Sequence, residues 1–293
     1  MIVGSTLCFA ILDSTVKFLS QRYPVSLLVG ARWGIQVIAL LVWLGPQVGR
    51  GLLRTPNPGT QLVRGALLLG SSICFMTALK YLPLADATAL NYSTPVIVSV
   101  MAVMFLNERM THARIAFIGA GIAGMLLIVR PGSELFQGAA LLALCAAGFY
   151  ATFQILTRKL AHDDWRVSLF FPALVSTVAM ALVVPFVEWP QTVYWADVAL
   201  LIFGSMFGTF GHFLLLRAFQ RATASALTPF TYTQLVWATL IGWAAFGTFP
   251  DRFTLLGMAV IAASGLLITL HERRVARLQS RIAPITREPW AVD

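Results

Sequence analysis

Runs of about 20 apolar residues, the length a helix needs to cross a bilayer, follow one another along almost the whole chain, separated by short polar or Pro- and Gly-bearing breaks. The pattern predicts ten spans, over residues 1–20, 25–45, 61–81, 84–106, 112–130, 135–157, 165–187, 195–217, 223–247 and 252–270. The breaks are as short as QRYP at 21–24 and LPL at 82–84, and the longest, 46–60, is rich in Gly and Pro, which leaves no room for a soluble domain. Within the first run Asp13 and Lys17 stand four residues apart, acid before base, and therefore on one helix face. Each costs roughly 2.5–3.5 kcal/mol at the centre of a membrane helix on insertion scales, so the face they share is expected to look into protein or water, along a solute pathway.

The pattern also repeats. Displaced by about 140 residues, the chain matches itself: Cys8 to Lys17 falls on Cys145 to Gln154, VSL at 25–27 on VSL at 167–169, Ala78 on Ala218, Tyr92 on Tyr232, and GMLLI at 124–128 on GLLI at 265–268. Asp13 then corresponds to Tyr150 and Lys17 to Gln154, polar position to polar position. Each repeat holds five spans, an odd number, so the second must enter the bilayer from the opposite side. The expected fold is all-α and integral to the membrane: ten transmembrane helices as two inverted five-helix repeats, 1–132 and 133–271, with a basic tail, amphipathic or disordered, at 272–293. Inverted repeats give two related cavities around a shared midplane site and permit alternating access.

Composition agrees. A chain that is 58% hydrophobic and 11% charged, with mean hydropathy +0.79, has too little polar surface to cover a soluble globule. The net charge of +9 is that of loops and not of a nucleic-acid partner. Counting Lys and Arg on alternate sides puts 15 on the side of the N-terminus and 4 (Arg22, Lys80, Arg130, Arg252) on the other, with Lys17 and Arg32 inside spans. The positive-inside rule then places both termini in the cytoplasm. The first run lacks a basic flank and a cleavage site, which favours a retained helix over a signal peptide. Cys8, Cys74 and Cys145 lie in apolar runs without CxxC spacing, so neither a disulfide frame nor a metal cage is implied, and no cofactor is expected.

Further polar residues inside the spans are candidates for the pathway. Arg32 could anchor an anion through its planar fork or snorkel to the interface; Lys80 reads as an interface snorkeller. In the fourth span Thr88, Asn91, Tyr92, Pro95 and Ser99 form a polar stripe, and Pro95 frees the carbonyl of Asn91, which must find water, solute or a neighbouring helix. The ninth span repeats the device with Thr228, Pro229, Thr231, Tyr232, Gln234 and then Trp237; Tyr232 and Gln234 cannot both point to the centre. Tyr150 and Gln154 qualify by register with Asp13 and Lys17. His212 follows Gly204, Gly208 and Gly211, a small-residue row of the kind that packs helices closely, and reads as a packing residue or a proton relay. Gly119, Gly121 and Gly124 read as a packing face, with a second copy of the chain as one partner it could meet. Glu108 and Arg109 end the fourth span, at an interface or a gate.

The two five-helix repeats, together with TALKYLPLADATALNYSTPVIVSVMAVMFLNER at 77–109 and its counterpart RAFQRATASALTPFTYTQLVWATLIGWAAFGTFPDRFTLLG at 217–257, carry a resemblance to the drug/metabolite transporter superfamily in its EamA-type ten-helix form. Glu108 fits the glutamate that such proteins carry after the fourth helix, but Thr248 stands at the second site, which puts a symmetric role for the pair in doubt. KFLSQRYP followed by Arg32 looks most like the bacterial branch related to S-adenosylmethionine and riboflavin carriers. The resemblance implies transport, by a secondary transporter of a bacterial inner membrane, without fixing the solute; the acid, bases, amides and aromatic rings of the candidate residues suit a small polar metabolite: an amino acid, an amino-acid-derived compound such as S-adenosylmethionine, or a vitamin. Solute and lipid are then the partners, with a coupling proton at Asp13 as a further one. No ATP-binding element is present. An embedded enzyme would need a nucleophile or metal set in the membrane, and a non-transporting assembly subunit a partner surface that short loops hardly offer.

Overall fold

Lipid offers no hydrogen bonds, so the apolar runs satisfy their backbones internally as helices, and prolines and one aspartate mark where several begin. A computed structural model of the chain describes residues 1–106, 112–130, 138–160, 163–221, 227 and 230–282, and among them contains no strand. The helices are α1 (Ile2–Leu19), α2 (Val25–Val48), α3 (Pro58–Tyr81), α4 (Leu84–Asn91), α5 (Thr94–Leu106), α6 (His112–Val129), α7 (Ala139–Lys159), α8 (Trp165–Val183), α9 (Trp195–Arg221), α10 (Thr233–Phe246) and α11 (Arg252–Ile282). Pro24 and Pro83 precede α2 and α4, Pro58 opens α3, and the Asp164 carboxylate caps α8 by accepting from the Arg166 N–H at 2.9 Å.

Among the described residues seven helices are long and apolar enough to cross a membrane: α1, α2, α3, α7, α8, α9 and α11. The remaining apolar material is shorter or interrupted. The expected fourth span is broken at Tyr92 and Ser93 into helices of 8 and 13 residues, α10 has 14 residues, and the apolar part of α6 is Ile115–Val129. The break before α10 falls at Tyr232, which stands in a turn as Tyr92 does. The Asn91 carbonyl freed by Pro95 is taken up within the chain, by the Thr94 hydroxyl at 2.7 Å. Glu108, Arg109, Thr228, Pro229 and the junction at residues 131–137 lie outside the described residues. The last helix, α11, continues from Arg252 through the start of the expected tail to Ile282, and residues 283–293 lie outside the described residues.

Helices pack in matched pairs: α1 with α9 and α3 with α7, α1 with α10 and α7 with α4 and α5, α2 with α9 and α8 with α3, while α2 meets α8 and α6 meets α11. Small residues set the closest approaches. A Cβ on Gly204 would lie 2.7 Å from Thr15 Cγ2, one on Gly208 2.7 Å from Leu12 Cδ2, and one on Gly211 3.0 Å from Cys8 Cβ, so the glycine row of α9 is the seat of α1. Gly124 and Gly257 press together likewise across α6 and α11. Gly121 also faces inward, onto Val96 and Ser264, which leaves only Gly119 of that cluster with open space before it. Buried Trp33, Leu40, Leu44, Leu79 and Leu90 fill the interior, while Val42, Leu182, Phe186 and Trp195 are exposed, as a lipid-facing surface requires.

Candidate solute site

Asp13 is 8% exposed and sits where α1 crosses α10. Its Oδ2 accepts from Gln234 Nε2 at 3.1 Å. Gln234 Oε1 in turn accepts from the Tyr92 hydroxyl at 3.0 Å, and that hydroxyl also lies 2.8 Å from the Thr231 carbonyl. A polar chain thus runs from α1 through α10 to the break between α4 and α5. Two turns earlier on α1 the hydroxyls of Thr6 and Thr233 meet at 2.7 Å. The rings of Tyr92 and Tyr232 lie 5.4 Å apart, so the two helix breaks touch each other in the middle of the bundle.

Around this chain several buried polar atoms lack any hydrogen-bond partner: Arg32 Nε, Asn91 Oδ1, Tyr232 Oη and Trp237 Nε1. Buried polar groups are nearly always paired, and an orphan costs about 1–3 kcal/mol, so these atoms are free to take a partner. Arg32 is buried, stacks its guanidinium 4.2 Å from the Trp33 ring, and acts electrostatically on both Asp13 and His212. His212 packs edge-on against Phe9 at 4.8 Å. Tyr150 stacks on Phe153 at 5.7 Å, interacts with Gln154 and lies within electrostatic range of Tyr92.

Not every expected residue converges. The face shared by Asp13 and Lys17 does not hold an ion pair: Lys17 Nζ donates instead to the carbonyls of Leu79 at 3.1 Å and Leu82 at 2.7 Å, at the end of α3. Of the Tyr232 and Gln234 alternatives, Gln234 turns to the centre, while the Tyr232 hydroxyl presses on α11, 1.6 Å from where a Gly265 Cβ would stand. No sequence signal singled out Asp86 or Arg64. Asp86 follows Pro83 at the start of α4 and interacts with Thr254 and Lys17. Arg64, counted only among the positive charges on the side of the N-terminus, is 3% exposed.

Polar latches close both ends. Where α1 leads into α2, Asp197 at the start of α9 accepts from Tyr23 Oη at 2.8 Å and pairs with Arg22 at 3.2 Å. At the opposite end Arg64 donates to Gln61 Oε1 (2.8 Å), Thr157 Oγ1 (2.8 Å) and the Ser168 carbonyl (2.9 Å). Gln61 and Thr55 both donate to Asp163, at 3.0 and 3.1 Å. A cleft of about 580 Å³ lined by Arg22, Tyr23, Thr192 and Tyr194 opens beside the first latch. A second, of about 320 Å³, opens among Met1, Ile2, Val3, Ala218, Arg221, Leu227 and Phe230. Asp13 lines neither and lies sealed between them.

These features define a polytopic helical membrane protein with a buried polar centre and a closed latch at each end. The chain matches the model of the EamA-like transporter family twice, over residues 1–130 and 137–270. It belongs to that family, and it is a transporter and not an enzyme. It is 28% identical to the S-adenosylmethionine uptake transporter of Rickettsia bellii over 262 residues, 89% of each chain. It is 27% identical to the riboflavin transporter of Vibrio cholerae over 284 residues, 94% of each chain. It is also 27% identical to a pseudopaline exporter of Pseudomonas aeruginosa over 270 residues, 91% of this chain and 94% of that one. A protein of known crystal structure shares the fold, with a TM-score of 0.61 at 21% identity, over 93% of this chain and all of the other.

Proposed function

We propose that the chain carries a small polar metabolite, amino-acid-derived or a vitamin, across the bacterial inner membrane by alternating access, and that the solute docks between Asp13, Arg32, Asn91, Tyr92 and Gln234. The observation that carries this reading is the gathering of orphaned polar atoms around the Asp13–Gln234–Tyr92 chain, at the contact of two broken helices. In the sealed conformation Gln234 holds the carboxylate; a solute bearing a cationic or amide group competes for it, while Arg32 and Asn91 take an anionic or donor group. Names of relatives such as an S-adenosylmethionine uptake transporter, a riboflavin transporter and a pseudopaline exporter support a small metabolite as the solute. Tyr150, Gln154, His212, Tyr232 and Trp237 form the surrounding wall.

Two inverted five-helix repeats, within 1–132 and 133–271, are the frame of this reading. Support comes from the family match to each half, from the two breaks at register-related Tyr92 and Tyr232, and from helix contacts that map onto one another when the halves are exchanged. The latches correspond in the same way, so that one opens as the other closes, with both termini in the cytoplasm. A proton carried by Asp13, buried in the bundle, is the coupling ion of this reading.

The test is flux into proteoliposomes of radiolabelled S-adenosylmethionine, riboflavin and a panel of amino acids, under an imposed proton gradient. The expected outcome is saturable uptake of one class, lowered at least about tenfold by Asp13→Asn and by Gln234→Leu. Uptake unchanged in both variants overturns the site, and no flux of any class overturns the substrate class.

A further inference from the structure

The end of α3 holds a cation, and the sequence explains why. In a helix the carbonyl of residue 79 accepts from the N–H of residue 83, but residue 83 is proline and has none. Leu79 O is therefore left without its helical donor, at the negative end of the α3 dipole. Leu82, just beyond the helix, is extended, and its carbonyl turns to the same point. Lys17 Nζ sits there, 2.7 Å from Leu82 O and 3.1 Å from Leu79 O. The face of the Phe246 ring closes one side at 5.6 Å, and the Asp86 carboxylate adds long-range attraction. Backbone carbonyls at a helix end, one aromatic face and a nearby carboxylate are the ligand set with which membrane proteins hold a small monovalent cation.

We propose that this is a built-in monovalent-cation site whose resident ion is the Lys17 ammonium, and that it accepts a free Na⁺, K⁺ or methylammonium once that side chain is removed. Lys17 is then a positioning residue that ties α1 to the junction of α3 and α4, and not a group that touches solute. The tether closes this site to alkali cations in the wild-type protein. The proposal does not depend on the identity of the solute.

The test is thermal unfolding of purified full-length protein in detergent, in choline, Na⁺, K⁺ or methylammonium chloride at equal ionic strength. The wild type is expected to melt at the same temperature in all four. Lys17→Ala is expected to melt lower in choline and to recover by roughly 3–5 °C in at least one of the small cations once that salt exceeds its Kd about tenfold. Lys17→Met keeps the stem and fills the space, so it is expected to melt low in every salt. An Ala variant with the same melting temperature in all salts, or one lost in all of them, overturns the proposal. So does a Met variant as stable as the wild type.

Discussion

Arg64 illustrates how far a residue's position in the sequence can mislead about its task. Near the start of the third span it counts as one more positive-inside charge, yet its guanidinium is buried, with each of Nε, Nη1 and Nη2 donating to a different acceptor and its plane 4.9 Å from the Phe153 ring. Arg64→Ala leaves those acceptors unpaired and is expected to destabilise the protein by roughly 2–4 kcal/mol, read as a lowered melting temperature in detergent. Arg64→Lys, a point charge without the fork, recovers only part. Outside the membrane, Arg130 hydrogen-bonds Asp251 and holds its carboxyl down, from 3.8 to about 2. A depressed pKa means the pair stabilises the fold fully above about pH 4 and loses that contribution as pH falls towards 2. Asp251→Asn should flatten this acid limb of a melting-temperature-against-pH curve and leave the neutral region nearly unchanged, as expected for a half-exposed pair. Asp13 was legible in the sequence because a carboxylate in an apolar run has few bland explanations. The partners of Lys17 were not, since backbone carbonyls carry no side-chain signature; only Pro83, read for the donor it lacks, points to them.

At the level of the helix, the sequence announces where elements start more clearly than which faces meet. Pro24 and Pro83 lie in the expected connections before α2 and α4, whereas the third span was expected from 61, three residues past Pro58, and the fourth was expected to run unbroken through Tyr92. The glycine row on α9 foretold close packing but not its partner, because a small residue says how near a neighbour comes and not which one. The structure names α1, and it grades the row. At Gly204 an added Cβ meets the β-branched Thr15 at 2.7 and 2.8 Å, close to its backbone, whereas at Gly208 it meets the flexible end of Leu12. Gly204→Ala is therefore expected to cost about 1–3 kcal/mol and Gly208→Ala distinctly less, a ranking that parallel thermal melts of the two variants decide. Equal losses would mean that α1 shifts as a rigid body over the whole row. The helix count is the least legible quantity at this scale. Length and hydropathy identify a span only when one helix crosses unbroken, and the breaks at Tyr92 and Tyr232, which border the proposed site, take two expected spans below that threshold.

For the whole molecule, duplication was visible in the sequence through register matches, but which end is closed could not be, because a conformation is not written in a periodicity. The structure answers with both ends latched: Arg22 and Tyr23 on Asp197 at one, and Gln61 and Thr55 on Asp163 at the other. If the two halves rock about the Tyr92–Tyr232 contact, each latch must open once per cycle, and locking either one stops net transport without touching the solute site. A cysteine pair replacing Arg22 and Asp197, in a background with Cys8, Cys74 and Cys145 changed to serine, tests the first latch; a pair replacing Gln61 and Asp163 tests the second. Joined by a short reducible bifunctional thiol reagent in proteoliposomes, each pair is expected to lose nearly all flux and to regain it on reduction. Solute-induced thermal stabilisation is expected to persist in at least one of the two locked forms, since one face of the site stays reachable. Flux that survives either cross-link would mean that the solute passes without that latch opening, and the rocking of one half against the other would have to be abandoned in favour of movement confined to a few helices.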